Sequence, residues 1–124
     1  MTTEPRLRMA LIGCGFFAQN HLHAWASLPD VEIVAVCDRN AAKAESARTA
    51  FGAGRAYTDA AEMMAAETLD FVDIATTMQT HRALVELAAS HGVHVIVQKP
   101  LAPSIEDCRA IVETCARRAA PDGA

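Results

Sequence analysis

Lysine is nearly missing from this chain: Lys43 and Lys99 are the only two. With 11 basic against 15 acidic residues the formal charge is −4. No basic stripe interrupts that balance, so the electrostatic footprint of a nucleic-acid-binding surface is absent. No apolar run approaches the ~20 residues of a membrane span. The opening MTTEPRLR lacks the apolar core of a secretion signal. The sequence therefore implies a protein without nucleic-acid or membrane partners, resident in the cytoplasm. Cysteine is present but unpatterned: Cys14, Cys37, Cys108 and Cys115 form no CxxC pair, and no histidine pair stands at a finger-like distance. No metal site is predicted. Cys108 and Cys115 are seven apart, on one helix face with Ile105, Ile111 and Val112, and read as small buried hydrophobes. Internal repeats and low-complexity tracts are also lacking.

What the chain does have is a globular balance, with 52% hydrophobic and 21% charged residues in 124. That is enough for one buried core in a single domain. Its pattern alternates. The apolar run RMALIG at 8–13 predicts a buried strand, and a helix follows from about Phe16 to Leu28, with Phe17, Leu22, Trp25 and Leu28 at helical spacing and Pro29 beyond. VEIVAVC at 31–37 is a second strand. Asn40 caps the next helix, which carries Ala44, Ala47 and Phe51 on one side and stops at Gly52. A short strand at 54–57 precedes a brief helix with capping-box spacing at Asp59 and Glu62. DFVDIA at 70–75, with two aspartates unusual for a buried strand, is the fourth strand. A helix over about 80–91, VHVIV at 93–97, and a last helix from Ser104 to about Arg118 complete the series. Five strand–helix units imply a Rossmann-type α/β fold: a doubly wound parallel sheet of about five strands with helices on both faces. Ligands of such sheets bind beyond the carboxyl ends of the strands, at the switch point.

Those ends carry the informative residues. After the first strand, Gly13-Cys14-Gly15-Phe16-Phe17-Ala18 has the GxGxxA form of the dinucleotide fingerprint. Gly13 permits a tight turn, Gly15 lets a pyrophosphate approach the backbone, and small Ala18 lets helix and strand pack closely. Free N–H groups at the helix N-terminus suit phosphate. Asp38 ends the second strand, 25 residues after Gly13, where an acid bonds the adenosine ribose hydroxyls. It would repel a 2′-phosphate, which favours NAD; Arg39 keeps NADP open, since a guanidinium there either binds that phosphate, lies over the adenine, or is simply solvated. Thr76 and Thr77 end the fourth strand and serve either a nicotinamide and its ribose or the cap of the following helix. His81 on its own reads as a helix-start histidine. After the fifth strand, Pro100 forces a turn at Gln98-Lys99, aiming Lys99 at the same rim.

Taken together, GCGFFAQNH, AVCDRN, IATTMQTH and HVIVQKPLA resemble the N-terminal domain of the glucose–fructose oxidoreductase / inositol dehydrogenase / MocA oxidoreductases, over about residues 8–118 in the family's order. The resemblance implies a domain that binds NAD or NADP for hydride transfer to or from a sugar, cyclitol or related alcohol. It implies that Lys99 is the family's catalytic EKP lysine, bonding the reacting oxygen, and that Thr76–His81 is the TPxxxH loop beside the nicotinamide ribose. Gln98 stands where the family has glutamate, which removes a negative neighbour and implies a lower Lys99 pKa than in an EKP relative. Thr77 and Met78 also depart from the family loop. Family chains continue into a second α/β domain that shapes the substrate pocket, supplies the acid/base histidine and commonly makes the oligomer interface. Here the resemblance implies a dinucleotide-binding domain over 1–120, a tail at 121–124, and neither the sixth strand nor the second domain. A sugar or polyol substrate and a homo-oligomer then depend on that further domain, and turnover by these 124 residues alone is not expected. The alternative is a stand-alone NAD(H)-binding or regulatory module. A methyltransferase loop would read GxGxG, without a Lys-Pro turn. His21 and His23, the nearest histidines, read as helix-face residues.

Overall fold

The computed structural model describes residues 6–15, 18–97 and 104–119. Phe16, Phe17, Gln98, Lys99 and the expected tail lie outside them. Five strands, β1 (Leu7–Ile12), β2 (Val31–Cys37), β3 (Arg55–Tyr57), β4 (Phe71–Ile74) and β5 (His94–Val97), form one sheet in the order β3-β2-β1-β4-β5. Every pairing is parallel. The chain winds outward from β1 to β3, then crosses back to β4 beside β1. The switch point therefore lies between the carboxyl ends of β1 and β4, where a doubly wound sheet opens a crevice.

Helices α1 (Ala18–Ala26) and α2 (Ala41–Phe51) cover one face; α3 (Ala60–Ala66), α4 (His81–Ser90) and α5 (Ile105–Ala119) cover the other. Met9, Leu11, Ile33 and Val36 pack toward Leu22 and Ala47. Ala10, Ile12, Val72 and Ile74 pack toward Met63, Val85, Ala88 and Ile111. β1 is buried on both faces, which is why it reads as an unbroken apolar run. β2 does not alternate regularly, because Met9 faces Ile33 while the next residue, Ala10, faces Ala35. The extra residue, Val34, is a bulge. It turns its carbonyl toward Gly54, where a Cβ would lie 2.8 Å from that oxygen.

The local signals act as the sequence implies, with small shifts. Asn40 Oδ1 accepts the N–H groups of Ala42 and Lys43, and Gly52 closes α2 at φ +70°. Asp59 accepts the Ala61 N–H at 3.0 Å and starts α3. Helix α1 ends at Ala26, before the expected Leu28, whose side chain is exposed. There the Ser27 hydroxyl donates to the Ala24 carbonyl at 2.7 Å, and Pro29 cannot continue the turn. Helix α4 begins at His81, preceded by a 3-10 turn over Met78–Thr80. The expected apolar face of α5 is only partly realised. Ile111 is buried and Cys115 packs against the core, but Ile105 and Val112 are exposed. Helix α5 docks along α4, where Arg82 reaches Asp107 at 2.8 Å. β5 lies at the sheet's edge, and among the described residues nothing covers that side of the helix. No described helix is long and apolar enough to cross a membrane.

Candidate nucleotide site

The crevice at the switch point is a cavity of about 860 Å³. Its wall between β1 and α1 is the glycine loop. Gly13 continues the sheet, donating its N–H to the Cys37 carbonyl at 2.7 Å, and then turns at φ +100°. A Cβ there would stand 2.6 Å from the Ala75 carbonyl oxygen at the end of β4. Glycine is thus required twice at position 13, by conformation and by the closeness of the neighbouring strand. Gly15 is different. Its φ is not positive, and a Cβ would meet no described atom within 4 Å. No packing among the described residues calls for glycine here; its bare side opens into the cavity. Ala18 is buried against the sheet, as a close helix–strand contact demands.

Asp38 forms the floor beside this loop. Its Oδ2 accepts the Cys14 N–H and its Oδ1 accepts the Asn40 N–H, each at 2.8 Å. Two backbone donors on separate oxygens fix the carboxylate, while each oxygen keeps a lone pair for a further donor. Arg39 follows on the rim, exposed. The thiols on either side of this carboxylate are buried and unpaired by any disulfide. Burial first, and the Asp38 charge second, push Cys14 up to about 12 and Cys37 up to about 11.

The opposite wall comes from the end of β4. Thr76 Oγ1 lies 2.6 Å from Thr80 Oγ1, which donates to the Thr77 carbonyl at 2.8 Å. The Thr80 hydroxyl therefore does not cap α4; it folds the loop on itself. His81 is 1% exposed, and its Nε2 bonds the Thr76 carbonyl at 3.2 Å. The ring lies behind the loop and holds it, instead of standing in the cavity. Of the residues the sequence singled out, the structure gathers Gly13, Gly15, Asp38, Arg39, Thr76 and Thr77 around one space and places Ala18 and His81 behind its walls. Two further pairs were not read as part of the site: Thr58 and Asp59 after β3, and Leu84 and Leu87 of α4. The first pair follows from the topology, since every parallel strand ends at the same rim; the leucines show only the spacing of an ordinary packed helix face. Among the described residues, no group of three or more His, Cys, Asp or Glu side chains is placed to hold a metal ion.

An open glycine turn before a helix, a fixed carboxylate closing the next strand, and a hydroxyl-bearing loop across the switch point define a dinucleotide-binding domain. The residues fit the group: the cradle at Gly15 is space that any other side chain would fill. The chain belongs to the oxidoreductase family with an NAD-binding Rossmann fold, GFO_IDH_MocA, whose model matches residues 7–121. It is 55% identical over 120 residues to a D-apiose dehydrogenase of Paraburkholderia graminis, covering 97% of this chain and 32% of that protein. A second D-apiose dehydrogenase, from Rhizobium rhizogenes, is 52% identical over 88% of this chain and 32% of its own length. Among solved structures, an oxidoreductase from Agrobacterium radiobacter in complex with NAD+, L-tartaric acid and magnesium superposes with a TM-score of 0.87 at 50% identity, over 91% of this chain and 33% of that one. The chain thus spans about a third of the length of the curated relatives it matches.

Proposed function

We propose that this chain is the nucleotide-holding part of an oxidoreductase that transfers a hydride between NAD and a sugar, cyclitol or related alcohol. The observation that carries this reading is the pairing of the open Gly15 with the fixed Asp38 carboxylate on one cavity. The fingerprint residues Gly13, Gly15, Phe16, Phe17 and Ala18 are assigned to the phosphates, toward which the dipole of α1 is favourable. Asp38 accepts the adenosine ribose hydroxyls and repels a 2′-phosphate, so NAD is preferred over NADP. Arg39 is free to lie over the adenine. Thr76 and Thr77 face the nicotinamide ribose, with His81 holding their loop. Gln98 and Lys99 follow β5 in sequence and lie outside the described residues; the family resemblance assigns them to the same site. Bound here, the nicotinamide supplies the hydride acceptor or donor. Lys99 donates a hydrogen bond to the alcohol oxygen that gains or loses its proton. In the family it resembles, a second domain supplies the acid/base partner and the walls that choose the alcohol. D-apiose, named in two relatives that share more than half their aligned residues with this chain, is the first substrate to assay with the whole protein.

The lone tryptophan provides the test. Trp25 lies on α1, the helix that opens at the glycine loop, so bound reduced nicotinamide quenches it by energy transfer. Titrating the chain with NADH and NADPH in parallel, and repeating with Asp38→Ala, is expected to give saturable quenching that is stronger for NADH. In the variant NADH binding weakens roughly tenfold, the scale of one lost charge-assisted hydrogen bond. Absence of saturable quenching by either nucleotide would overturn the reading.

A further inference from the structure

The strand β4 buries a second carboxylate on the α1 side of the sheet. Asp73 is 1% exposed, between Val72 and Ile74, which point to the opposite face. Its Oδ2 is 2.6 Å from His21 Nδ1 and accepts the Trp25 Nε1–H at 2.8 Å. His21 and Trp25 are four apart and so share one face of α1. Asp73 Oδ1 is buried and has no hydrogen-bond partner among the described residues.

As a source of stability this arrangement is poor. Burying a carboxylate with one oxygen unsatisfied costs free energy, and apolar side chains in place of such clusters are often neutral or stabilising. What the cluster supplies is direction. Apolar packing tolerates a helix that slides or rolls on its sheet; two hydrogen bonds converging on one oxygen do not. The two elements joined are the ones whose ends face each other across the cavity. Helix α1 begins directly after the glycine loop, and β4 ends one residue before Ala75, whose carbonyl meets Gly13.

We propose that Asp73 is a positioning residue: by holding His21 in the first turn of α1 and Trp25 in its last, it fixes the length of the helix on β4 and so the direction in which the N-terminus of α1 faces the cavity. This rests on the nucleotide-site reading above. It predicts that the cluster matters more to binding than to stability.

The experiment compares the parent chain with Asp73→Asn and with the apolar triple variant Asp73→Val/His21→Leu/Trp25→Phe. Thermal unfolding and calorimetric NADH titration are measured for each, the latter because the triple variant lacks the tryptophan. The triple variant is expected to melt at or above the parent temperature and to bind NADH roughly tenfold more weakly, a supporting-shell effect. Asp73→Asn keeps an acceptor oxygen in place and is expected within about threefold of the parent on the same scale. Undiminished binding by the triple variant overturns the proposal. So does a large fall in its melting temperature, which would make the cluster an ordinary stabilising contact, or an Asp73→Asn loss as great as the triple variant's. A parent chain that binds no NADH removes the nucleotide-site reading instead, and this proposal with it.

Discussion

Asp38 and the backbone of Cys14 are joined at 2.8 Å, so the acid that closes β2 also tethers the loop that follows β1. The carboxylate fixes the turn, and the turn in return fixes the carboxylate. A group held from both sides needs no ordering when a ligand arrives, which lowers the entropic cost of binding. Replacing Asp38 by Asn, which keeps one oxygen but no charge, should raise the NADPH:NADH affinity ratio with less damage than Ala. Parallel titrations of the two variants measure this.

Gly13 has no acceptable substitute. Gly13→Ala places a methyl 2.6 Å from the Ala75 carbonyl in a left-handed conformation. The strain alone is about 1–3 kcal/mol. A melting temperature lowered by several degrees is expected, as is loss of NADH quenching. Gly15→Ala, with open space around it, should leave the melting temperature unchanged while weakening NADH binding. The two glycines of one motif thus separate, one by unfolding and the other by titration.

The strand–helix alternation and the first half of the site were legible because each depends on local chemistry. Asn40, Gly52 and Asp59 act through their own neighbours, and the glycine loop lies in one short stretch. The Asp73 cluster was not legible. His21 and Asp73 are 52 residues apart, and nothing local distinguishes a buried aspartate with two donors from one that merely interrupts a strand. The exposure of Ile105 and Val112 on α5 was hidden for a similar reason, since periodicity names an apolar face without saying what covers it.

The four cysteines should divide in two by reactivity. Cys14 and Cys37 are buried beside Asp38, with thiols raised from the ordinary 9.0 to about 12 and about 11; Cys108 and Cys115 are half-buried on α5. Under native conditions a disulfide reagent should label the latter pair first, and the former only on unfolding. Peptide mapping after timed labelling reads this directly.

The same thiols make stability fall in alkali. Because folding raises both values, the folded chain retains protons that the unfolded chain gives up above pH 9.0. This contribution is full below that pH and is lost as the pH rises toward 11 and 12. Denaturation midpoints across pH 8–11 should decline, and Cys14→Ala/Cys37→Ala should flatten the slope.

His81→Ala should cost roughly 2–4 kcal/mol, since it empties a fully buried position and leaves the Thr76 carbonyl without its ring partner. Arg82→Ala, which removes exposed ion pairs to Glu86 and Asp107, should cost far less, because solvent screens such pairs. Urea titrations of the two variants rank them.

The placement of β1 between β2 and β4 has a consequence for the order in which the chain becomes competent during synthesis. The glycine fingerprint is translated some sixty positions before its facing wall at Ala75–Thr77. A ribosome that has released β1 to β3 presents half a crevice, with Gly13 bonded to β2 but open on the side that Ala75 will occupy. NADH therefore rewards only those nascent chains that have recruited β4, which makes the cofactor a check on the least local pairing in the sheet. Arrested chains ending before and after β4 has cleared the exit tunnel should differ sharply in their retention on an immobilised nucleotide.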